Sequence, residues 1–429
     1  MSTQAPGTAQ DQPDGPLGAP FWKVWCASTA ENLGDGIRLV ALPLLATRLT
    51  SDPALIALVT VVTYLPAVVF GSLAGVLVDR VDRRRAMLAA NIGRALILLV
   101  LVALIANDLA TMPWLLLFAL LYGIGEVIAD PAAHAYLPRI VAPQHLGNAN
   151  SKIFTGQIVG EQFVGRALGG ILFAGAAFLP FAGNAAVLVL AALLIATLPA
   201  DPSAPVTSSG GNQAQRVWTD LREGLRFVFS SPLLRGMSLL LGAWAATAGA
   251  FWGVAVVYAT SELQATASAF GIFLAVSAVG SLIGASLATR LLGLWGAFPT
   301  VLVSLAASTV AITCLSITPN LAVATVLLAI NGVATTCWSV LSVTVRQRSV
   351  PNRLLGRVAS TYRILATVSM PLGAGLAGLV ASAFGTRIVF LASGALLVIA
   401  GALLLPGLRS PITAAWPRDA SSTPADTKA

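Results

Sequence analysis

Three ionisable residues, Glu31, Asp35 and Arg38, lie inside an otherwise apolar stretch of the chain, at spacings of four and three residues. This spacing places all three on one face of an α-helix. A charge inside a membrane span is costly, so a functional role is the first hypothesis. A buried carboxylate beside an arginine can alternate between a proton-bound and an ion-paired state, which is what proton coupling requires. We therefore predict that Asp35 is central to proton coupling, with Glu126 secondary and Glu31 after it; the alternative is an ion pair that only positions the helix.

A second polar stripe follows further along the chain, where Glu126, Asp130 and His134 recur every four residues. Glu126 is predicted to lie deepest in the membrane and to act as a further proton or cation site. Asp130 precedes Pro131, so we expect it to cap a break in the helix. His134 is expected to be structural. Arg94, in the preceding apolar stretch, is expected to contact a charged loop or to extend toward water.

Composition indicates what kind of protein must position these groups. Hydrophobic residues make up 57% of the 429 residues and charged residues only 10%, against about 25% charged in soluble domains. The fold class indicated is an all-α membrane protein, because a transmembrane barrel would show short alternating segments. The formal charge of +8 comes mainly from arginines in short loops, which indicates membrane topology and no nucleic-acid partner. Cys26, Cys314 and Cys337 lie in apolar segments and predict neither a disulfide nor a metal site, and no cofactor is expected.

Apolar windows long enough to cross a bilayer recur along the chain, and we predict twelve transmembrane helices. Basic residues cluster in alternate loops, which places these loops and both termini in the cytoplasm, in a multi-pass protein of the cell (inner) membrane. The tails 1–20 and 409–429 are predicted to be disordered. Two six-helix halves, 21–200 and 236–408, are joined by a cytoplasmic linker, 201–235. The predicted spans are 22–49, 54–78, 86–107, 112–136, 149–178, 181–199, 236–260, 266–289, 298–317, 321–345, 356–383 and 387–407.

The two halves resemble each other in sequence. GSLAGVLVDR from Gly71 aligns with GSLIGASLAT from Gly280, and RIVAPQHLG from Arg139 aligns with RSVPNRLLG from Arg348. Both pairs are 209 residues apart (280 − 71 and 348 − 139). This constant offset predicts a duplicated six-helix unit that is repeated in the same direction across the membrane.

The linker between the halves contains VWTDLREGLRFVF, in which Trp218, Leu221, Leu225 and Val228 share one helical face. This pattern predicts an amphipathic helix at the cytoplasmic membrane interface. A linker helix without lipid contact explains the pattern equally well.

A charged loop separates the second and third predicted spans, in the segment GSLAGVLVDRVDRRRAM. The segment resembles the loop signature of the major facilitator superfamily, G-x3-D-R-x-G-R-R, with an aspartate at the second glycine position. Asp79 can bind the positive end of a facing helix, and the arginines can pair with Asp82 or with acids across the half interface. We predict a latch that forms in one conformation and breaks in the other; the alternative is a topological role alone. The residues of this signature are Gly75, Asp79, Arg80, Asp82, Arg83 and Arg84.

The fifth predicted span contains GEQFVGRALGGIL, which resembles the antiporter signature of the same superfamily. Gly165, Gly169 and Gly170 match its G-P-x-x-G-G core, while Arg166 occupies the proline position. The glycines predict close packing against a neighbouring helix. Glu161 is expected to neutralise Arg166.

The spans of the second half carry almost no charge but contain several large aromatic residues. An apolar, aromatic wall suits a bulky lipophilic substrate. We therefore expect Trp244, Trp252 and Trp338, together with Arg38, to line a substrate cavity. The alternative for each aromatic residue is a place in the core or in the interfacial belt.

Beyond the superfamily, LGDGIRLVALPLL from Leu33 and the stretch PxxHAYLPRIVAPQHLGNANS resemble the enterobactin-exporter and macrolide-efflux branch. This resemblance implies two six-helix halves, alternating access, and export of a small lipophilic drug, siderophore or secondary metabolite in exchange for protons. We expect a monomer without enzymatic activity. The sequence contains no G-x4-G-K-[ST] phosphate loop, so an ion gradient is the expected driving force. Two alternatives stay open: an uncoupled facilitator of a lipid or metabolite, and a membrane sensor that transports nothing.

Overall fold

The computed structural model describes residues 17–78, 81–199 and 213–416, and every regular element within them is helical. Two π-helical segments, Ile158–Gly165 and Tyr258–Glu262, and a short 3-10 turn, Pro143–His145, extend or join the α-helices. The α-helices are α1 (Ala19–Leu49), α2 (Pro53–Val78), α3 (Arg83–Ala106), α4 (Met112–Ile140), α5 (Leu146–Gln157), α6 (Arg166–Gly175), α7 (Leu179–Ala196), α8 (Gln213–Ser230), α9 (Pro232–Val257), α10 (Ala267–Trp295), α11 (Ala297–Leu315), α12 (Leu321–Ser349), α13 (Asn352–Phe384) and α14 (Thr386–Ala415).

Six helical rods form each half of the described chain, when α5, the π-helical segment after it and α6 are counted as one fifth rod and α8 is set apart as the linker. Ten helices of the described residues are long and apolar enough to cross a bilayer. The two other rods are α1, which carries Asp35 and Arg38, and the fifth rod, which carries Glu161 and Arg166. The all-helical membrane fold predicted from the sequence is confirmed, and both of these rods bear buried charges.

The observed helices differ most clearly from the predicted spans in two places. The span predicted as one helix over 149–178 contains a π-helical segment between α5 and α6. Such segments often mark functional sites, but the spacing of apolar residues does not predict them. The last helix, α14, continues to Ala415, although a disordered tail was expected from 409. Its extension is held by packing, because Ile412 is fully buried in the core of the second half.

The repeat predicted from the sequence recurs in the helix boundaries. α4 and α12 begin 209 residues apart (321 − 112) and also end 209 residues apart (349 − 140). α3 and α11 end at the same offset (315 − 106). α13, the counterpart of the fifth rod, is α-helical throughout. The halves therefore share a packing frame and differ in the fifth rod.

The halves are packed together at one end of the bundle, which we call the closed end and which contains Thr50 and Gly385. There, Ser382 Oγ of the second half donates to Asp52 Oδ1 of the first at 3.1 Å. A single apolar cluster joins both halves, with members such as Phe173 and Phe270. At the opposite end, where α1 begins and α14 ends, the described residues form separate cores, one in the second half and two in the first. We call this the open end, because none of these cores joins the two halves.

The helix predicted in the linker is observed as α8, and it is fixed to the second half. A Cβ added to Gly224 would lie 2.8 Å from the Arg357 carbonyl oxygen of α13. Arg357 Nη1 donates to Glu223 Oε2 at 2.7 Å. Val228 is fully buried in the core of the second half. One face of α8 is therefore bound to the bundle.

Candidate functional site

Asp35 lies between two glycines of α1, Gly34 and Gly36, and these glycines allow it to be enclosed. A Cβ on Gly34 would lie 2.1 Å from Asn184 Oδ1 of α7, and one on Gly36 would lie 2.2 Å from the Glu161 carbonyl oxygen in the π-helical segment. Only a residue without a side chain permits such close approach. The LGDG sequence therefore brings α7 and the fifth rod against α1, and Asp35 is left 8% exposed.

One carboxylate oxygen of Asp35 is shared by side chains of three helices. Tyr122 OH of α4 donates to Asp35 Oδ1 at 2.7 Å, and Asn184 Nδ2 donates in turn to Tyr122 OH at 3.3 Å. Arg38 Nε lies 3.8 Å from the same Oδ1, and Arg94 Nη1 of α3 lies 3.9 Å from it. Asp35 is therefore the centre on which α1, α3 and α4 converge.

Glu31, one turn earlier in α1, is bound by two side chains of α3. Asn91 Nδ2 donates to Glu31 Oε1 at 2.6 Å, and Arg94 Nη2 donates to Glu31 Oε2 at 3.3 Å. Arg94 also donates to Asn91 Oδ1. Arg94 is only 1% exposed, so the expectation that it contacts the charged loop or extends toward water is wrong. The acids of α1 hold its guanidinium group inside the bundle instead.

Glu126 is the most exposed acid of this group. Arg38 Nη2 donates to Glu126 Oε2 at 3.0 Å and so joins α1 to α4. The Glu126 side chain is 33% exposed, whereas that of Arg38 is 3% exposed. The guanidinium groups of Arg38 and Arg94 also lie 4.3 Å and 5.3 Å from the ring centroid of Tyr122, which adds cation–π attraction.

These residues form one connected set, which we call the acid–arginine cluster. It holds three carboxylates and two guanidinium groups, so a single bound proton brings its formal charge to zero. A net charge in a water-poor interior is unfavourable. Within the described chain, Nε and Nη1 of both arginines have no hydrogen-bond partner. Each arginine can therefore bind a new partner through these nitrogens while it keeps its present hydrogen bonds. The members of the cluster are Glu31, Asp35, Arg38, Asn91, Arg94, Tyr122, Glu126 and Asn184.

Arg38 also lines a small pocket between the two halves. The lining residues come from α1, from α2 and, through Trp252, from α9 of the second half. Leu42 and Val59 contribute apolar surface, and Tyr64 contributes a hydroxyl group. Arg38 and Trp252, both predicted to line a substrate cavity, thus meet at one site beside the acid–arginine cluster.

The other two predicted cavity tryptophans lie elsewhere. The rings of Trp244 and Trp338 stack on each other, with centroids 5.5 Å and planes 14° apart, and Trp244 Nε1 donates to Thr335 Oγ1 at 3.2 Å. They are 4% and 1% exposed in the core of the second half. This placement corrects the prediction that they line the cavity, because stacking two large rings inside the core buries more apolar area than exposing them does.

The polar stripe of α4 continues from Glu126 toward the open end. α4 is helical from Met112 to Ile140 and passes through Pro131, so the prediction that Asp130 caps a helix break is wrong. Membrane helices tolerate proline because neighbouring groups satisfy the freed backbone. Asp130 and His134 are both exposed. At spacings of four they follow Glu126 along one face, from the cluster toward the mouth of the cavity.

Arg166 belongs to the first half but is bound by the second. Its Nη1 donates to Ser277 Oγ of α10 at 3.4 Å, and its guanidinium group lies 4.9 Å from the ring centroid of Trp252. It is 7% exposed. Among the described residues Arg166 and Glu161 form no ion pair within 4 Å, but their opposite charges still attract each other. Arg166 therefore joins the fifth rod to the tryptophan that lines the pocket.

The glycines around Arg166 form two close helix crossings. Added Cβ atoms on Gly165 and Gly169 would lie 2.7 Å and 2.6 Å from carbonyl oxygens of α1. One on Gly170 would lie 2.3 Å from the Ala267 carbonyl oxygen at the start of α10. The motif thus packs the fifth rod against the helix of Asp35 and against the second half.

The charged loop contacts helices of its own half. Asp82 Oδ1 accepts a hydrogen bond from the Arg85 backbone N–H at 2.9 Å and caps α3. Arg84 Nε donates to the Ile195 carbonyl oxygen at 3.2 Å, near the end of α7, where unpaired carbonyls attract cations. The predicted latch stays a prediction. Of its other residues, Gly75 lies in α2, Arg83 begins α3, and Asp79 and Arg80 lie outside the described residues.

Sequence reasoning missed several residues of the site, notably Asn91, Tyr122 and Asn184. Each is a polar side chain inside an apolar span, and a buried amide without a partner is costly. That cost is a signal that could have marked Asn91 and Asn184. Their partners could not have been named, because the residues lie on different helices and no spacing along the chain relates them.

Comparison with known proteins gives relatives along nearly the whole chain. A family model described as transmembrane secretion effector matches residues 15–424. The multidrug efflux pump Tap of Mycolicibacterium fortuitum is 27% identical over 412 residues, which cover 91% of this chain and 96% of that protein. The enterobactin exporter EntS of Shigella boydii is 27% identical over 391 residues, which cover 90% of this chain and 91% of that protein.

A solved structure with the same fold is that of a bacterial homolog of the human lysosomal transporter Spinster, in an inward-facing and unoccupied conformation. It matches with a TM-score of 0.73 at 18% identity and covers 92% of this chain and 97% of that one. At this identity the likeness concerns the fold alone.

Proposed function

Because the chain belongs to the transmembrane secretion effector family, in the efflux branch of the major facilitator superfamily, we propose that it exports a small lipophilic molecule in exchange for protons. The protein is a transporter and not an enzyme. One observation carries the proposal: the enclosed Asp35 accepts a hydrogen bond from Tyr122 and lies beside two buried arginines. The cluster around it has one more carboxylate than guanidinium groups.

Proton exchange acts through the partners of Arg38 and Arg94. When Asp35 is ionised, both guanidinium groups are drawn to it. When Asp35 binds a proton, Arg94 is left with Glu31 and Arg38 with Glu126, and the attraction that draws α3 and α4 toward α1 weakens. Such a change of partners gives two discrete arrangements, which is what a switch between conformations requires.

The fifth rod carries this change to the other half. Its glycines pack on α1, while Gly170 and Arg166 contact α10 and Trp252. A shift of α1 therefore moves a rod that touches both the pocket and the half interface. This contact supports alternating access in which proton binding and substrate binding compete through one set of helices.

We propose that the open end faces the cytoplasm of the cell (inner) membrane, in agreement with the arginine-rich loops at that end. Substrate then enters along Asp130 and His134 and reaches the pocket at Trp252. The charged-loop latch would form in the opposite, outward-open state. One chain holds both halves and the whole cavity, so we propose that a monomer is the working unit.

The apolar lining of the pocket supports a lipophilic substrate. Leu42, Val59 and Trp252 offer apolar surface, and Arg38 and Tyr64 offer few polar contacts, as in sites that bind compact lipophilic molecules. Tap is named for multidrug efflux and EntS for export of enterobactin; for this chain the substrate class is a proposal.

The test uses inside-out vesicles with an acid interior and a panel of lipophilic dyes and drugs. Wild type is expected to accumulate at least one of them in a gradient-dependent way, and Asp35→Asn is expected to abolish this uptake. Asp108→Asn, which makes the same change in an exposed turn, is the matched control and should transport normally. Uptake that ignores the gradient and survives Asp35→Asn would contradict proton coupling and leave an uncoupled facilitator. Specific binding of a panel compound without any uptake would instead indicate a sensor.

A further inference from the structure

The linker helix α8 has a second face that the transport mechanism does not use. Its inner face is occupied by the contacts of Gly224 and Val228 with the second half. The outer face carries four exposed residues at spacings of three, one and three. Leu225 is 41% exposed and Phe229 is 39% exposed. The four residues, which we call the outer stripe, are Arg222, Leu225, Arg226 and Phe229.

These spacings place the outer stripe on one side of the helix, with two guanidinium groups beside two large apolar side chains. The acid nearest to it, Glu223, is bound to Arg357 of α13 at 2.7 Å. The stripe is therefore positively charged as well as apolar.

The height of α8 in the membrane follows from its contact with α13. A Cβ on Gly224 would lie 2.7 Å from Thr361 Oγ1. Thr361 is 23 residues (384 − 361) from Phe384, the end of α13 at the closed end, which is about 35 Å along a helix. The hydrocarbon core is about 30 Å thick and the headgroups bring the bilayer to about 40–45 Å. Gly224 therefore lies at headgroup level on the side of the open end.

The other end of α8 gives the same height. Only Ser231 separates Ser230, the last residue of α8, from Pro232, the first residue of the membrane-spanning α9. The contact with α13 and the connection to α9 thus both place the outer stripe at the level of the lipid headgroups.

We propose that the outer stripe is a docking surface for anionic phospholipids of the membrane that the chain spans. Leu225 and Phe229 enter the boundary between headgroups and acyl chains, and Arg222 and Arg226 bind phosphate groups. Apolar side chains flanked by arginines are how interfacial helices bind anionic leaflets. Because the inner face of α8 is bound to α13, lipid docking holds this part of the second half at a fixed height where the halves separate.

The test measures the depth of nitroxide labels on the full chain in nanodiscs. Labels are placed singly at Leu225→Cys and Phe229→Cys in a chain whose three cysteines are replaced. Two agents that relax the nitroxide report its depth: oxygen, which concentrates in the membrane, and a nickel chelate, which stays in water. In equal mixtures of phosphatidylcholine and phosphatidylglycerol, both labels are expected to be reached by oxygen and protected from nickel. In phosphatidylcholine alone they are expected to move toward water.

Two label positions calibrate the depth scale. Asn352→Cys, at the exposed start of α13, should report water in both lipids. Leu403→Cys, on the 75% exposed Leu403 of α14, should report membrane in both.

The arginines are tested by Arg222→Gln with Arg226→Gln. Each arginine at an anionic surface changes the ratio of docked to undocked helix about fivefold. In the mixed lipid, the labels of the double variant should therefore move toward water, as those of the unsubstituted helix do in phosphatidylcholine alone. Arg353→Gln, an exposed arginine at the start of α13, is the matched control and should leave the labels docked.

Three outcomes would overturn the proposal. Nickel access in both lipids would make α8 a linker helix without lipid contact. Equal protection in both lipids would remove the role of anionic headgroups. Protection from both agents, with broadening between labels on different chains, would show that a second copy of the chain covers the stripe.

Discussion

Arg38 and Glu126 are joined by a 3.0 Å contact between Nη2 and Oε2 that links α1 to α4. The guanidinium group is enclosed, whereas the carboxylate side chain is one-third exposed. Arg38 also lies 3.8 Å from Asp35 Oδ1. One arginine therefore connects the cavity surface with the enclosed acid, and a ligand or proton that reaches Glu126 alters the surroundings of Asp35.

Glu126→Gln is expected to lower gradient-driven uptake about tenfold or more while the protein still folds. Arg38 keeps Asp35 as a partner, so the loss of one charge-assisted hydrogen bond costs about 1–3 kcal/mol of stability. Thermal unfolding in detergent and vesicle uptake measure the two effects. Glu223→Gln, which removes one partner of the more exposed Arg357 pair, should cost less than about 1 kcal/mol. Normal transport by Glu126→Gln would exclude Glu126 from coupling.

Tyr122→Phe removes the hydroxyl group that donates to Asp35 and accepts from Asn184. We expect a loss of stability of about 1 kcal/mol and a clear fall in gradient-driven uptake, since Asp35 loses its shortest contact. Tyr136→Phe is the matched control: its hydroxyl group donates to the Pro199 carbonyl oxygen at 2.9 Å, outside the cluster. If both variants slowed uptake equally, the Tyr122 hydroxyl group would have only a structural role.

Gly170→Ala is expected to separate the halves at the closed end. The added methyl group would lie 2.3 Å from a backbone oxygen of α10, and backbone cannot move aside as a flexible side chain can. Distances between spin labels across the closed end should lengthen and uptake should fall. Gly93→Ala, where no atom of another helix lies within 4 Å of the added carbon, should change neither measurement. Unchanged distances in Gly170→Ala would show that this crossing does not hold the end closed.

Trp252→Phe and Trp338→Phe are expected to act differently, although the chemical change is the same. Trp252 lines the pocket, so its substitution should change which compounds of the panel are transported. Trp338 is stacked in the core, so its substitution should lower the free energy of unfolding by about 1–3 kcal/mol. The order of preferred compounds should stay unchanged. Uptake of the whole panel by both variants gives the order of compounds, and thermal unfolding in detergent gives the stability. A changed order in Trp338→Phe alone would place the substrate in the second half.

The fold class, most helix positions and the duplication follow from the amino-acid sequence. Apolar length and the places of arginines are local properties, and a bilayer converts them directly into spans. The 209-residue offset of the motifs around Gly71 and Arg139 predicted the offset at which α4 and α12 begin and end. Spacing along α1 also predicted that Glu31, Asp35 and Arg38 share a face, because one helix determines their arrangement.

The partners of the charged and aromatic side chains, by contrast, depend on how the helices pack. Arg94 binds the acids of α1, Arg166 binds Trp252, and Trp338 stacks on Trp244, and each contact joins helices far apart in sequence. The packing of one helix on another depends on where glycines such as Gly34 and Gly36 allow close approach, and this is decided by the surfaces of both helices together. The pattern along the chain describes one helix at a time. It therefore predicted which charged residues lie inside the spans and share a face, but it did not predict their partners on other helices.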